Sequence, residues 1–127
     1  MKYLLDTHTA IWSLGEDHKL SKTAKGIMAD ASRSLYISIV SAWEIAIKVS
    51  CGKLNFGGGS ERFLEEMQLS GVEVVGINGS YIKTTETLPF IHRDPFDRLL
   101  VATAKTEGMT ILTADENITR YDVPSVW

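Results

Sequence analysis

The chain has 127 residues, 44% of them apolar and 23% charged, which is the size and composition of one globular domain and excludes intrinsic disorder as its main state. No stretch reaches the roughly 20 apolar residues of a membrane helix, and Asp6 interrupts the N-terminal apolar run before a signal sequence can form, so a cytoplasmic protein without a membrane partner is expected. The lone Cys51 has no internal disulfide partner, three histidines without paired cysteines make a poor zinc site, and thirteen basic against sixteen acidic residues give a net charge of −3 that advertises no polyanion.

Along the chain, short β-rich runs alternate with helical patterns. Strands are expected at Tyr3 to Asp6, Leu35 to Ser38, Val72 to Val75 and Thr110 to Thr113, with a fifth at Ser125 to Trp127. Helices are expected at Thr9 to Leu14, Ser21 to Ala31, Ser41 to Ser50, Ser60 to Leu69, Ser80 to Thr87 and Pro95 to Glu107. This alternation predicts a three-layer α/β/α fold with a central parallel sheet of four to five short strands, and residues 1–127 read as a single domain. Ligands of such sheets bind outside the carboxyl ends of the strands.

Acidic residues fall at those ends. Asp6 closes the first strand, where it reads equally as a helix N-cap and as a site residue. Glu44 follows the second strand in Ser41-Ala42-Trp43-Glu44-Ile45-Ala46-Ile47-Lys48. Ser41 and Glu44 have the spacing of a capping box, and Glu44 and Lys48 that of an i,i+4 ion pair. Trp43, Ile45, Ala46, Ile47 and Val49 surround most of this helix, so Trp43 reads as core and the polar stripe of Ser41, Glu44 and Lys48 calls for a partner or ligand. Gly57-Gly58-Gly59 follows a helix and lacks a phosphate-loop lysine, so it reads as a connection with Ser60 as N-cap. In His92-Arg93-Asp94-Pro95-Phe96-Asp97-Arg98, Asp94 reads as an N-cap before a proline at the first helical position, while Asp97 lies a turn inside the helix. Asp115 closes a later strand as Asp6 does the first.

If Asp6, Glu44, Asp97 and Asp115 converge, each pair of carboxylates about 5 Å apart repels by roughly 3 kcal/mol at an effective dielectric of 20. Hard divalent cations remove that cost, and an all-oxygen donor set suits Mg²⁺ or Mn²⁺. Such ions act on phosphodiesters and would let an acidic protein hold a polyanion. Lys48, Arg98, Arg93 and His92 are candidates to meet phosphates or orient carboxylates, and Thr113 to bond Asp115 or a bound water; each reads equally as an ordinary surface or turn residue. His8 reads as a local helix-start residue, and Trp12 as part of a packing face.

Leu4-Leu5-Asp6-Thr7-His8, Ser41 to Lys48, His92-Arg93-Asp94-Pro95-Phe96-Asp97-Arg98-Leu99-Leu100-Val101-Ala102 and Leu112-Thr113-Ala114-Asp115, in this order and spacing, resemble the PIN-domain toxins of the VapC type. The resemblance runs through to Val126-Trp127 and implies a single PIN domain with Mg²⁺- or Mn²⁺-dependent endoribonuclease activity on an RNA substrate. It further implies the toxin role in a type II toxin-antitoxin module, a cognate VapB-like antitoxin, homodimerisation, and Asp6, Glu44, Asp97 and Asp115 as the acidic quartet, with Asp94 outside it. A non-catalytic PIN-fold interaction module is the alternative. An aspartyl-phosphate enzyme with Asp6 as nucleophile is disfavoured, because Asp6-Thr7-His8-Thr9 lacks a second aspartate two residues on.

Overall fold

The computed structural model describes residues 1–127. Its core is a five-stranded, all-parallel sheet of β1 (Lys2–Leu5), β2 (Ser34–Ser38), β3 (Glu73–Val75), β4 (Thr110–Leu112) and β5 (Ser125–Val126), in the order β3-β2-β1-β4-β5. β1 is central because Leu4 and Leu5 have no exposed surface and tolerate cover on both faces. Leu5 pairs with Ile37 of β2 on one side and Leu112 of β4 on the other, so these three strands end level.

Seven helices cover the sheet: α1 (Thr7–Ser13), α2 (Lys22–Ala29), α3 (Ile39–Ser50), α4 (Gly59–Leu69), α5 (Gly79–Thr85), α6 (Pro95–Glu107) and α7 (Glu116–Thr119). A single 3₁₀ turn, Asp17–Lys19, joins α1 to α2. Alternation along the strands splits the interior in two. Tyr3, Leu5, Ile37 and Leu112 pack with Ala24, Ile45, Phe63 and Met67, while Leu4 and Ile111 pack with Leu100, Val101, Ala104 and Ile118. The three-layer α/β/α expectation holds, with all five strands present.

Two local expectations differ. α3 starts two residues before Ser41, at Ile39, and its N-cap is Ser38, whose hydroxyl accepts from Val40 N at 3.1 Å. There is therefore no capping box at Ser41 and Glu44: the Glu44 side chain is free of the cap, and the Ser41 hydroxyl bonds that of Thr7. The N-cap of α4 is Gly58 rather than Ser60: its φ of 84° is left-handed, and a Cβ there would meet Arg62 Cβ at 2.6 Å, so glycine alone fits. The chain goes from β1 out to β2 and β3, then returns to β4 on the other side of β1. This reversal opens a crevice at the carboxyl ends of β1 and β4.

Candidate metal centre

A pocket of about 190 Å³ lies over that crevice, lined by Asp6, Thr7, His8, Glu44, Lys48, His92, Asp94, Asp97 and Asp115, with no hydrophobic residue among them. All four acids of the expected quartet reach it. Asp6 directly follows β1 and caps α1, its Oδ1 accepting from Thr9 N at 2.7 Å. Its Oδ2 accepts a hydrogen bond from the hydroxyl of Thr113, which in turn accepts from Asp115 N at 3.0 Å. Thr113, just past β4, thus ties the two strand-end aspartates together. Asp115 caps α7 through Oδ1, which accepts from Asn117 N at 2.9 Å.

Glu44 is only 4% exposed despite its charge. Lys48 donates to its Oε2 at 2.7 Å, and the Thr7 hydroxyl lies 2.8 Å from Oε1 and 2.8 Å from Ser41 Oγ. A carboxylate only accepts, so Thr7 gives its single proton to Glu44 and takes one from Ser41. Burial and the expected ion pair are both present. Glu44 raises the Lys48 pKa above its ordinary value through the hydrogen bond first and charge attraction second, burial opposing.

Asp97 occupies the first turn of α6, and Asp94 caps that helix with Oδ1, accepting from Phe96 N at 2.8 Å. His92 Nε2 lies 2.9 Å from Asp97 Oδ2. Burial above all, then the charges of Asp94 and Glu44, push the Asp97 carboxyl up to about 7, with His92 pulling the other way. The closest set of ligand atoms is His92, Asp94 and Asp97, all within 4.8 Å of one another. Sequence reasoning assigned Asp94 to capping alone and passed over Thr7. The doubled aspartate of Asp94-Pro95-Phe96-Asp97 carries a signal for the first, because a cap uses one carboxylate oxygen and leaves the other; an isolated threonine at a helix start carries none for the second.

Of the supporting candidates, Lys48 and His92 line the pocket, and Thr113 bonds Asp6 from beneath. Arg98 points away: it is 8% exposed, and its guanidinium is engaged by main-chain carbonyls of the segment before α6, so it is closed to a phosphate. Arg93 is exposed and outside the pocket lining. His8 lies at the pocket and stacks near Trp12, their rings 5.8 Å apart. Trp12 packs edge-on to Trp127 at 5.9 Å, on a packing face as expected. Trp43 is not core but 59% exposed, edge-on to Phe96 at 5.3 Å. The helix turns Ala42 and Ile45 to the sheet and Glu44 and Lys48 to the pocket, which leaves Trp43 and Ile47 for the outside.

The carboxylate donors are oxygens of buried or half-buried acids, one of them held far from its ordinary pKa by burial first and neighbouring negative charge second, and that chemistry fits a hard divalent cation. No helix is long and apolar enough to cross a membrane.

The PIN-domain family profile matches residues 3–124. Ribonuclease VapC22 of Mycobacterium tuberculosis is 30% identical over 128 residues, covering 98% of this chain and 97% of that protein. Among solved structures, VapBC2 from Rickettsia felis bound to a promoter DNA fragment is similar with a TM-score of 0.71 at 17% identity, covering 99% of this chain and 98% of that one. VapBC-1 from nontypeable Haemophilus influenzae is similar with a TM-score of 0.66 at 18% identity, covering 99% of this chain and 97% of that one. At these identities the two structures speak for the fold.

Proposed function

Because the chain belongs to the PIN-domain family, and within it to the VapC type, we propose that its 127 residues form one PIN domain acting as a metal-dependent endoribonuclease, the toxin of a type II toxin-antitoxin module. The observation that carries this reading is the pocket at the reversal of the sheet, built of polar residues alone and holding five carboxylates. Asp6, Glu44, Asp97 and Asp115 would hold Mg²⁺ or Mn²⁺, with Asp94 beside them. When bound, such a cation would supply charge compensation for the carboxylates, polarisation of a phosphodiester and a lowered pKa for an attacking water.

The chain's own groups supply orientation and charge. Thr113 and Thr9 fix both oxygens of Asp6, Thr7 and Lys48 both oxygens of Glu44, and His92 one oxygen of Asp97. Carboxylates so held do not have to be ordered when a ligand arrives, and this preorganisation favours tight and selective cation binding. Lys48 keeps 37% of its side chain exposed and is the basic group placed to meet a backbone phosphate entering the pocket. The similarity to toxins solved with antitoxins supports a cognate antitoxin as the protein partner.

The test is sequencing of RNA 5′ ends after induced expression of the intact chain and of Asp6→Asn, followed by cleavage of the recovered target by purified protein with Mg²⁺, Mn²⁺ or EDTA. The expected result is a defined set of new 5′ ends from the intact chain alone, dependent on the divalent ion. Equal cleavage by both proteins, or cleavage undiminished in EDTA, would overturn the assignment. No cleavage of any RNA by a protein that still binds its antitoxin would favour the non-catalytic module.

A further inference from the structure

The buried guanidinium of Arg98 has no carboxylate partner. It donates instead to Pro89 O at 2.9 Å, Thr85 O at 3.0 Å, Leu88 O at 3.3 Å and the Tyr121 hydroxyl at 3.0 Å, with the Phe90 ring 4.3 Å from its carbon. Three of these four acceptors belong to the segment that runs from the end of α5 toward α6. Tyr121, 3% exposed and just beyond α7, holds the far end of the same segment: its oxygen accepts from His92 N at 3.0 Å and donates to His92 O at 3.2 Å. Its hydroxyl is thereby saturated, with one proton given and two received. A segment of irregular backbone, residues 86–94, is thus clamped at both ends by side chains from two different helical regions.

What the clamp delivers is the His92 ring. Main-chain bonds on both sides of the His92 Cα leave the ring only its own two torsions, and it ends 2.9 Å from Asp97 Oδ2. Arg98 is the residue next to Asp97 on α6, so the helix that presents the carboxylate also anchors the segment that orients it. Resting on the proposed cation site, we infer that Arg98 and Tyr121 are positioning residues: they latch residues 86–94 so that His92 fixes Asp97 for cation binding. A purely structural clamp would stabilise the fold and leave the affinity of the pocket alone. A latch couples the Tyr121 hydroxyl to the His92 ring.

Three variants separate these cases: Tyr121→Phe, which keeps the ring and deletes one oxygen; His92→Ala; and the pair together. Each is checked for folding by circular dichroism in EDTA, and Mn²⁺ affinity is then read from free Mn²⁺ by electron paramagnetic resonance. His92→Ala is expected to weaken Mn²⁺ binding about tenfold, the low end of the scale for groups directly behind metal ligands, and Tyr121→Phe, one contact further out, about three- to fivefold. The double variant is expected to match His92→Ala to within about twofold, because the hydroxyl has nothing left to position. His92→Gln, which restores an N–H of similar reach, should recover part of the loss when Tyr121 is present. Unchanged Mn²⁺ affinity in Tyr121→Phe, or losses that multiply in the double variant, would overturn the latch while leaving the cation site standing. Absence of Mn²⁺ binding by the unmodified protein would overturn the site and the latch together.

Discussion

Replacing Asp97 with asparagine is expected to stabilise the cation-free protein at alkaline pH and to leave it almost unchanged near pH 4. Burial, aided by the charges of Asp94 and Glu44, lifts the Asp97 carboxyl from 3.8 to about 7. A carboxyl that holds its proton more tightly folded than unfolded contributes stability that is complete below the unfolded value and is lost as pH rises through the folded one. The window is therefore about pH 4 to 7, with stability falling upward through it. At 1.36 kcal/mol per pKa unit the ceiling is about 4 kcal/mol. Asp97 retains 16% of its side-chain exposure, so water reaches it, and Lys48 lines the same pocket; an effect on the order of 2 kcal/mol is expected above pH 7. Asparagine keeps an oxygen that accepts from His92, so the substitution removes charge and little else. Urea unfolding in EDTA at pH 5 and pH 8, followed by tryptophan fluorescence with the denaturant slope checked for constancy, measures the difference. Asp97→Asn no more stable than the unmodified chain at pH 8, or more stable by the same amount at both pH values, would refute the electrostatic account of the pocket. Added Mn²⁺ should then restore stability to the unmodified chain and much less to the variant.

Three other substitutions test separate parts of the structure. Thr113→Val removes a hydroxyl on a residue 1% exposed and leaves Asp6 Oδ2 and Asp115 N without that partner, which should cost about 1–3 kcal/mol in urea unfolding. Lys48→Met strips the buried Glu44 carboxylate of its cation and should cost about 1–2 kcal/mol at pH 7 in the same assay, with Mn²⁺ recovering part of the loss. Trp43→Ala should lower stability by no more than about 1 kcal/mol, whereas Ile45→Ala, two residues on and fully buried, should cost about 2–5 kcal/mol; the reverse order by thermal unfolding would contradict the orientation of α3.

The layer architecture was legible because strand and helix periods alternate cleanly, and the meeting of Asp6, Glu44, Asp97 and Asp115 at one pocket because strand ends and the first turns of the helices share one edge of a parallel sheet. What eluded sequence reasoning has a common physical origin. Helix starts were placed by the nearest serine, yet α3 begins at Ile39, since β2 runs straight into it and Ser38 serves as both strand end and cap. That shift changes nothing in the backbone path but reassigns Glu44 from capping to the pocket and Ser41 to the Thr7 hydroxyl behind it. An apolar residue such as Trp43 carries no mark of which way its helix faces, so sequence alone puts it in the core; the buried Glu44 on the neighbouring face decides otherwise. From sequence Arg98 is either a candidate phosphate or carboxylate contact or an ordinary surface residue; it is neither, because carbonyl oxygens, which sequence does not display, engage its guanidinium in the interior.

For the aspartates, capping a helix and lining the pocket do not exclude each other. Asp6, Asp94 and Asp115 each cap a helix with Oδ1, and each lines the pocket. A cap spends one oxygen on main-chain N–H groups, and the positive end of the helix steadies the negative charge; the second oxygen carries no main-chain bond, and that of Asp6 also accepts from the Thr113 hydroxyl. Glu44 and Asp97 lie within helices and do without a cap, and burial, aided by neighbouring charge, pushes the Asp97 carboxyl up to about 7. The surplus of acids in the composition follows from this construction. Outside the pocket, eleven acidic side chains face twelve basic ones, so the excess that seemed to argue against a polyanion is confined to the place where a cation would offset it.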